Sequence, residues 1–159
     1  FREKMKKILF GLILSFLFYN YGNSNEIDIE QIREKHNSYY KYLFNDDFDN
    51  LAKLFSFPSS FKGFVENIQI ANNENDIKEI YGNLINAAPQ SKFAKSGRNY
   101  SEIKTSLNNK EIIKMRDDTY ILIVTYTQKD KKNNSLIFSG KASYLFTKQN
   151  DNWFLSGVF

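Results

Sequence analysis

Alternation of apolar and polar residues is strongest between Thr105 and Phe159, where it predicts consecutive antiparallel strands. Arg116-Asp117-Asp118-Thr119 has the composition of a tight turn, and the runs on both sides of it are rich in Ile, Tyr and Val. Polar stretches at residues 128–134 and 149–152 separate the later runs. We therefore expect a four-stranded meander over residues 111–115, 120–128, 136–147 and 153–159.

A two-residue loop at Asp117 and Asp118 would fix which side chains share a face of this sheet. It places Glu111 opposite Val124, and the next strand then brings Tyr144 opposite Tyr120. One face is expected to carry Asn109, Glu111, Leu122, Val124, Tyr126 and Tyr144. The other face is expected to carry Ile112, Ile121, Ile123, Ile137 and Leu145.

Helical spacing dominates the preceding part of the chain. Asp28 and Gln31 have the form of a capping box, and apolar residues then recur every three or four positions as far as Phe44. Asn45-Asp46-Asp47 is expected to cap a short second helix that ends before Pro58, because the residue before proline avoids the helical region. A long helix and a short one are therefore expected before the first strand.

The middle of the chain predicts one strand and one more helix. Residues 59–63 are expected to form a loop, and residues 64–70 alternate as a strand. Asn73 and Asp76 predict the start of a third helix, which Pro89 stops. Residues 89–99 are expected to form a second loop before the meander begins.

The N-terminal stretch has the three parts of a secretory leader. Met5-Lys6-Lys7 precedes an apolar run over residues 8–18, and Gly22-Asn23-Ser24 follows as a cleavage region. The run is shorter than the roughly 20 residues of a spanning helix, and a retained anchor is the alternative. With Met5 as the start, we expect a signal peptide at residues 1–24 and one domain at residues 25–159. The protein would then be exported, periplasmic or extracellular, and would touch a membrane only through an uncleaved leader.

Charge and cysteine usage exclude several functions. The leader removes Arg2, Lys4, Lys6 and Lys7 with a single acidic residue, so the mature chain is close to neutral and no nucleic-acid partner is predicted. The absence of cysteine excludes disulfides, thiolate metal sites and a cysteine nucleophile. Asp46, Asp47 and Asp49 lack the glycine and distal glutamate of a calcium loop. We expect no metal and no cofactor.

Two segments carry a family resemblance: Asn45-Asp46-Asp47-Phe48-Asp49-Asn50-Leu51 leading to Phe55, and Tyr144-Leu145-Phe146-Thr147-Lys148 followed by Asn150-Asp151-Asn152-Trp153-Phe154-Leu155. With the order of elements, residues 27–159 resemble the nuclear-transport-factor-2-like superfamily, also called SnoaL-like or cystatin-like cone domains. The resemblance implies an α+β cone, in which a curved antiparallel sheet wraps around a long N-terminal helix and leaves a cavity. Members include isomerases, dehydratases and non-catalytic binding modules, so function has to be argued from the site.

Two titratable residues are candidates for catalysis. His36 is the one histidine of the chain and lies on the apolar stripe of the first helix, where it could act as an acid or base or serve as a buried structural residue. Glu111 would point inward in the register above, and burial would raise its pKa toward that of a general base. A solvated rim position, or a strand bulge that turns it outward, is the alternative.

Tyrosines supply the remaining candidate contacts. Tyr126 would assist His36 and Glu111 in a catalytic site, while Tyr40 and Tyr144, with Asn109 and Leu122, would bind a ligand or simply pack as core and rim residues. Two functions stay open: an exported domain that binds a small apolar molecule or another protein without catalysis, or a cofactor-independent isomerase, dehydratase or hydrolase. Because an apolar outer sheet face would need a cover, we also expect a homodimer through the sheet.

Overall fold

The computed structural model describes residues 26–62, 67–86 and 103–159, with only the backbone described for residues 84–86. The predicted signal peptide and the predicted loop at residues 89–99 lie outside the described residues. The chain divides into two compact units, which are residues 1–34 and residues 35–159. In the first unit the described residues are helical and carry a surface ion pair between Arg33 and Glu30, 3.6 Å apart. None of the described helices has the length and hydropathy of a membrane span.

Three helices and six strands make up the described chain. The helices are α1 over residues 26–44, α2 over Phe48–Ala52 and α3 over Glu74–Asn86. The strands are β1 Phe55–Phe61, β2 Gln69–Ala71, β3 Ile103–Arg116, β4 Thr119–Asp130, β5 Leu136–Gln149 and β6 Asn152–Val158. The predicted α+β class is confirmed.

Side-chain caps begin the second and third helices, as the sequence predicts. The Asp47 carboxylate accepts a hydrogen bond from the backbone N–H of Asn50. The Asn73 side-chain oxygen accepts from the N–H groups of Asn75 and Asp76, at 2.9 and 3.1 Å. These caps satisfy amide groups that have no partner inside the helix, and so they fix where each helix starts.

The strands form one curved, unclosed sheet in the order β2-β1-β6-β5-β4-β3. Its last four strands are the predicted antiparallel meander. β1 runs parallel to β6, so the sheet is mixed and not antiparallel throughout. Residues 59–61 belong to β1, although the sequence predicted a loop from residue 59. Pro58 suggested that loop, but it lies exposed at an irregularity between the pairs Phe55–Leu155 and Ser60–Gly157, where a missing N–H is tolerated.

The register of β3 against β4 differs from the predicted one. Arg116 pairs with Thr119, as a two-residue loop requires, but a bulge at Met115 shifts the following pairs by one residue. Lys110 therefore lies opposite Val124, and Glu111 lies opposite Ile123. A slip of one residue exchanges the two faces of a strand. The predicted inward position of Glu111 is wrong, and the bulge alternative is the one that the chain adopts.

The same bulge changes the predicted outer face. Ile112 lies opposite the fully buried Leu122 and therefore faces the core, contrary to the prediction. Tyr144 also pairs with Leu122, two residues away from its predicted partner, and a two-residue shift leaves every side chain on its expected face. The core side of the sheet holds Tyr120, Leu122, Val124, Tyr144, Phe146, Trp153 and Leu155, all buried.

Candidate functional site

His36, Tyr39 and Tyr40 occupy one face of α1, because residues three and four positions apart on a helix are neighbours. This face packs against Tyr144 on β5. The His36 ring lies 4.6 Å from the Tyr144 ring and 5.0 Å from the Tyr40 ring, both edge to face. It also stacks on Tyr39 at 6.5 Å. We call His36, Tyr39, Tyr40, Tyr81 and Tyr144 the histidine–tyrosine cluster.

Tyrosine hydroxyls hold this cluster together in pairs. The Tyr40 and Tyr144 hydroxyls are 2.6 Å apart, and those of Tyr39 and Tyr81 are 3.0 Å apart. Burial is the main cause that raises the pKa of Tyr144 and of Tyr81 far above the ordinary tyrosine value. Both phenols therefore stay protonated and can act as hydrogen-bond donors. His36, Tyr40 and Tyr144, three of the candidate site residues, thus lie next to one another.

The His36 imidazole is fully buried, and neither ring nitrogen has a hydrogen-bond partner among the described residues. Burial, and to a smaller extent the positive charge of Lys110, lower the pKa of His36 from 6.5 to about 3. The ring is therefore neutral near pH 7, with one nitrogen that donates and one that accepts. Unpaired buried polar atoms of this kind are uncommon in folded proteins.

Lys110 is the charged residue that β3 brings toward this cluster, in place of Glu111. Its ammonium donates to the side-chain oxygen of Asn37 on α1, at 2.9 Å. The bulge at Met115 is what selects the lysine, because it shifts the register of β3 by one residue. The sequence analysis missed Lys110, since nothing in the composition of β3 marks the bulge.

The remaining predicted site residues are dispersed. Glu111 is exposed on the opposite face of the sheet, and Asn109 is exposed at a second register shift, between Leu107 and Lys110. Leu122 is fully buried opposite Tyr144. Tyr126 is partly buried on the same face as Leu122, with its ring 5.8 Å from that of Phe138. The structure therefore does not bring Glu111 together with His36 and Tyr126.

Gln128 is a second buried polar residue on the core side of β4. Its side-chain oxygen has no hydrogen-bond partner among the described residues, while its amide nitrogen lies 3.5 Å from the Thr105 hydroxyl. Gln128 was expected both to end the strand over residues 120–128 and to begin the polar stretch over residues 128–134, but β4 continues to Asp130. The alternation of side chains along β4 could have predicted this position, because Tyr126 and Gln128 lie on the same face of the strand as Leu122 and Val124.

The arrangement suits binding by hydrogen bonds more than proton transfer. A base works best when its pKa lies near the working pH, and that of His36 lies far below. Neither of the causes that shift the pKa of His36 is a carboxylate. Within the described parts of the chain, no three histidine or acidic side chains converge as a metal site requires.

Comparisons with known proteins identify the fold. No family model matches the sequence, and no curated protein matches it. A Nostoc punctiforme protein of unknown function with a cystatin-like fold superposes with a TM-score of 0.62 at 15% identity, covering 83% of this chain and 88% of that chain. A nuclear-transport-factor-2-like protein of Novosphingobium aromaticivorans gives 0.56 at 14% identity, covering 82% and 79%.

A third structure carries a provisional enzyme name. It is a protein of Streptomyces avermitilis named provisionally as a dehydratase of the nuclear-transport-factor-2-like family, with a TM-score of 0.57 at 16% identity, covering 84% of this chain and 94% of that chain. At these identities the likeness concerns the fold and not the chemistry. The chain has the cystatin-like fold of the nuclear-transport-factor-2-like proteins.

Proposed function

We propose that this protein is an exported, non-catalytic domain that binds a small, largely apolar molecule at the histidine–tyrosine cluster. The observation that carries the proposal is His36, which is fully buried with both ring nitrogens unpaired among the described residues. An unpaired buried polar group costs about 1–3 kcal/mol, and a ligand that bonds to it recovers that free energy on binding. The aromatic rings around His36 supply apolar contact area for the rest of the ligand.

The polar groups of the cluster favour a ligand with a hydrogen-bond acceptor, such as a carbonyl or a carboxylate. The Tyr40–Tyr144 hydroxyl pair carries two O–H donors, and phenolic donors suit an acceptor group on a ligand. Neutral His36 offers one N–H, and Lys110 brings a positive charge to the same region. Tyr40 is only partly buried, so we expect the ligand to enter past its ring.

The enzyme alternative lacks its base in this arrangement. Glu111 was the predicted carboxylate, and it is exposed on the other face of the sheet. A neutral histidine and protonated tyrosines can orient and polarise a carbonyl. Abstraction of a proton needs a group whose pKa lies nearer the working pH. The described residues therefore support binding better than turnover.

Native mass spectrometry of the protein purified from its own host tests the proposal. We expect a co-purifying molecule with a carbonyl or carboxylate group in the wild type. His36→Phe keeps an aromatic ring and removes both nitrogens, so the dissociation constant should rise at least tenfold, the equivalent of about 1.4 kcal/mol of lost binding, and the bound fraction should fall. Glu111→Gln is the matched control, because its side chain lies on the opposite face. It should retain the ligand fully.

Two results would contradict this function. One is retention of the molecule in a folded His36→Phe protein, as judged by circular dichroism. The other is its loss in Glu111→Gln, which would place the ligand on the other face of the sheet.

We also propose that the domain forms a homodimer through the outer face of the sheet. Ile113, Ile121 and Leu145 lie side by side there on β3, β4 and β5. Lys110 and Lys114 do not oppose this pairing, because they lie opposite the core residues Val124 and Tyr120, whereas Lys141 lies opposite Thr125 on the outer face. Two-fold pairing is the commonest way to bury one self-complementary surface.

Light scattering at micromolar concentration measures this assembly. We expect a dimer mass for the wild type and a monomer mass for Ile121→Glu, which buries a charge in the middle of the row. Leu136→Glu is the control, since Leu136 is 62% exposed at the start of β5 and outside this row. A wild-type monomer mass that persists at high salt, where charge repulsion is screened, rejects the dimer.

A further inference from the structure

An open groove of about 380 Å³ lies between β2 and α3, on residues that the ligand site does not use. One helical stripe of α3 forms one wall, and its members Asp76, Glu79, Ile80 and Asn83 are spaced three or four residues apart. Gln69 and Ile70 of β2 form the other wall. We call this the β2–α3 groove.

β2 is the last strand of the sheet in the described part of the chain, so the groove lies beside a strand edge that no described strand pairs with. It pairs with β1 through residues 69–71, and its other edge has no strand partner among the described residues. Ile68 and Ile70 are 60% and 50% exposed beside it. An exposed edge with apolar neighbours is a template for an added strand from another chain.

The charge of the groove determines which partner segment could pair with the edge of β2. Asp76 and Glu79 are its two charged lining residues, and both are acidic. The Asp76 carboxylate accepts a hydrogen bond from the backbone N–H of Asn72, at 2.7 Å, which holds it in place at the start of α3. Lys78, the lysine of α3, forms an ion pair with Asp49 on α2. The groove is therefore negative in a chain whose formal net charge is +4.

We propose that the β2–α3 groove binds an extended, basic segment of a partner protein, which pairs with the free edge of β2 and sets lysine or arginine side chains against Asp76 and Glu79. The stripe from Asp76 to Asn83 is about 10 Å long at 1.5 Å per helical residue. It therefore spans about three residues of an extended strand at 3.3 Å each. Ile70 and Ile80 supply the apolar contact between the charged positions.

A second copy of this chain fits the groove less well than a basic partner. Pairing two β2 edges by a two-fold axis would bring the acidic walls of both grooves toward one another, and like charges that face each other across an interface weaken it. A basic segment instead gains from opposite charge, and the gain falls as salt is added.

Fluorescence anisotropy with the labelled peptide Lys-Ile-Lys-Ile-Lys tests the proposal on the full chain. We expect saturable binding that weakens as salt rises, and at least tenfold weaker binding of the acidic counterpart Glu-Ile-Glu-Ile-Glu. Glu79→Lys should weaken binding of the basic peptide at least tenfold. Glu34→Lys is the matched control, because it makes the same charge change at another exposed helical position and should leave affinity unchanged.

Backbone methylation of the peptide tests the added strand itself. Alternate amides of a strand point to opposite sides, so only one set can reach β2. One probe carries N-methyl groups on its two isoleucines and another carries them on its lysines. We expect one of the two probes to lose binding and the other to keep it. Equal affinity for the basic and acidic peptides, equal effects of Glu79→Lys and Glu34→Lys, or equal behaviour of the two methylated probes would overturn the proposal.

Discussion

Acidification from pH 7 toward pH 3 should remove roughly 4 kcal/mol of folding stability through His36 alone, from a pKa of 6.5 in the unfolded chain and about 3 in the folded one. Between these values the unfolded chain binds a proton that the folded chain does not. Acid therefore stabilises the unfolded state. The contribution of His36 is fully present above pH 6.5 and is lost progressively as the pH falls toward 3.

The groups that face His36 act in the same direction. Lys110 from β3 opposes a charge on the ring, and burial raises the pKa of Tyr144, so this neighbouring phenol offers no negative charge. No other histidine is present in the chain, so the loss between pH 6.5 and 5 belongs to this residue. Carboxylates such as Asp49 and Asp117, whose pKa values their lysine partners lower, add their own losses at lower pH.

Urea unfolding at intervals from pH 7.5 to pH 4 measures the effect. His36→Phe is the matched variant, because it keeps a ring in the cluster and removes the titrating group. Its free energy of unfolding should change little between pH 6.5 and 5, while that of the wild type should fall by about 1.4 kcal/mol per pH unit. If the free energy of unfolding fell equally with pH in the two proteins, the pKa of His36 would be the same in the folded and the unfolded chain. That result would contradict the prediction.

Replacing Tyr81 by alanine should cost about 3–5 kcal/mol, in line with the loss of a large aromatic side chain from a core. Tyr81 is fully buried and links three elements. Its ring lies 6.0 Å from that of Tyr39 on α1, and 6.2 and 5.9 Å from those of Phe55 and Phe61 on β1. The alanine variant loses all of these contacts and leaves a cavity.

Tyr81→Phe separates the packing of this ring from its hydrogen bond. It keeps the ring and removes only the hydroxyl that meets Tyr39 at 3.0 Å, so the expected cost is about 1 kcal/mol. Chemical unfolding of both variants, with the wild type, gives the two values. If the phenylalanine variant were as unstable as the alanine variant, the hydroxyl pair and not the ring would hold α3 in place.

Local patterns predicted the elements whose determinants are local. The Asn73 cap and the Asp117-Asp118 turn could both be predicted from the sequence, because short polar side chains hydrogen-bond to the backbone beside them. The helical spacing of His36, Tyr39 and Tyr40 likewise placed these residues on one face. The packing of the first helix against the sheet was expected from the family resemblance and not from a local pattern.

Structural features that depend on residues distant in sequence could not be predicted. β1 contains a proline that reads as a loop, and it becomes a strand because β6 lies beside it. The face of the sheet on which Glu111 lies depends on the bulge at Met115. No residue type or pattern in β3 marks the position of this extra residue. The side-chain oxygen of Gln128 has no partner among the described residues, and no local sequence pattern predicts which polar groups will surround a buried side chain.

The bulge at Met115 makes the number of residues between the turn and Lys110 decide which charge faces α1. Deleting Met115 would remove the bulge but leave Lys110 opposite Val124 and Glu111 opposite Ile123, because Met115 is the residue that has no partner. Inserting one residue between Glu111 and Lys114, with the bulge kept, would instead set Glu111 opposite Val124 and turn Lys110 to the other face. A single insertion would therefore exchange a cation for a carboxylate on the face toward α1, with no substitution in the chain.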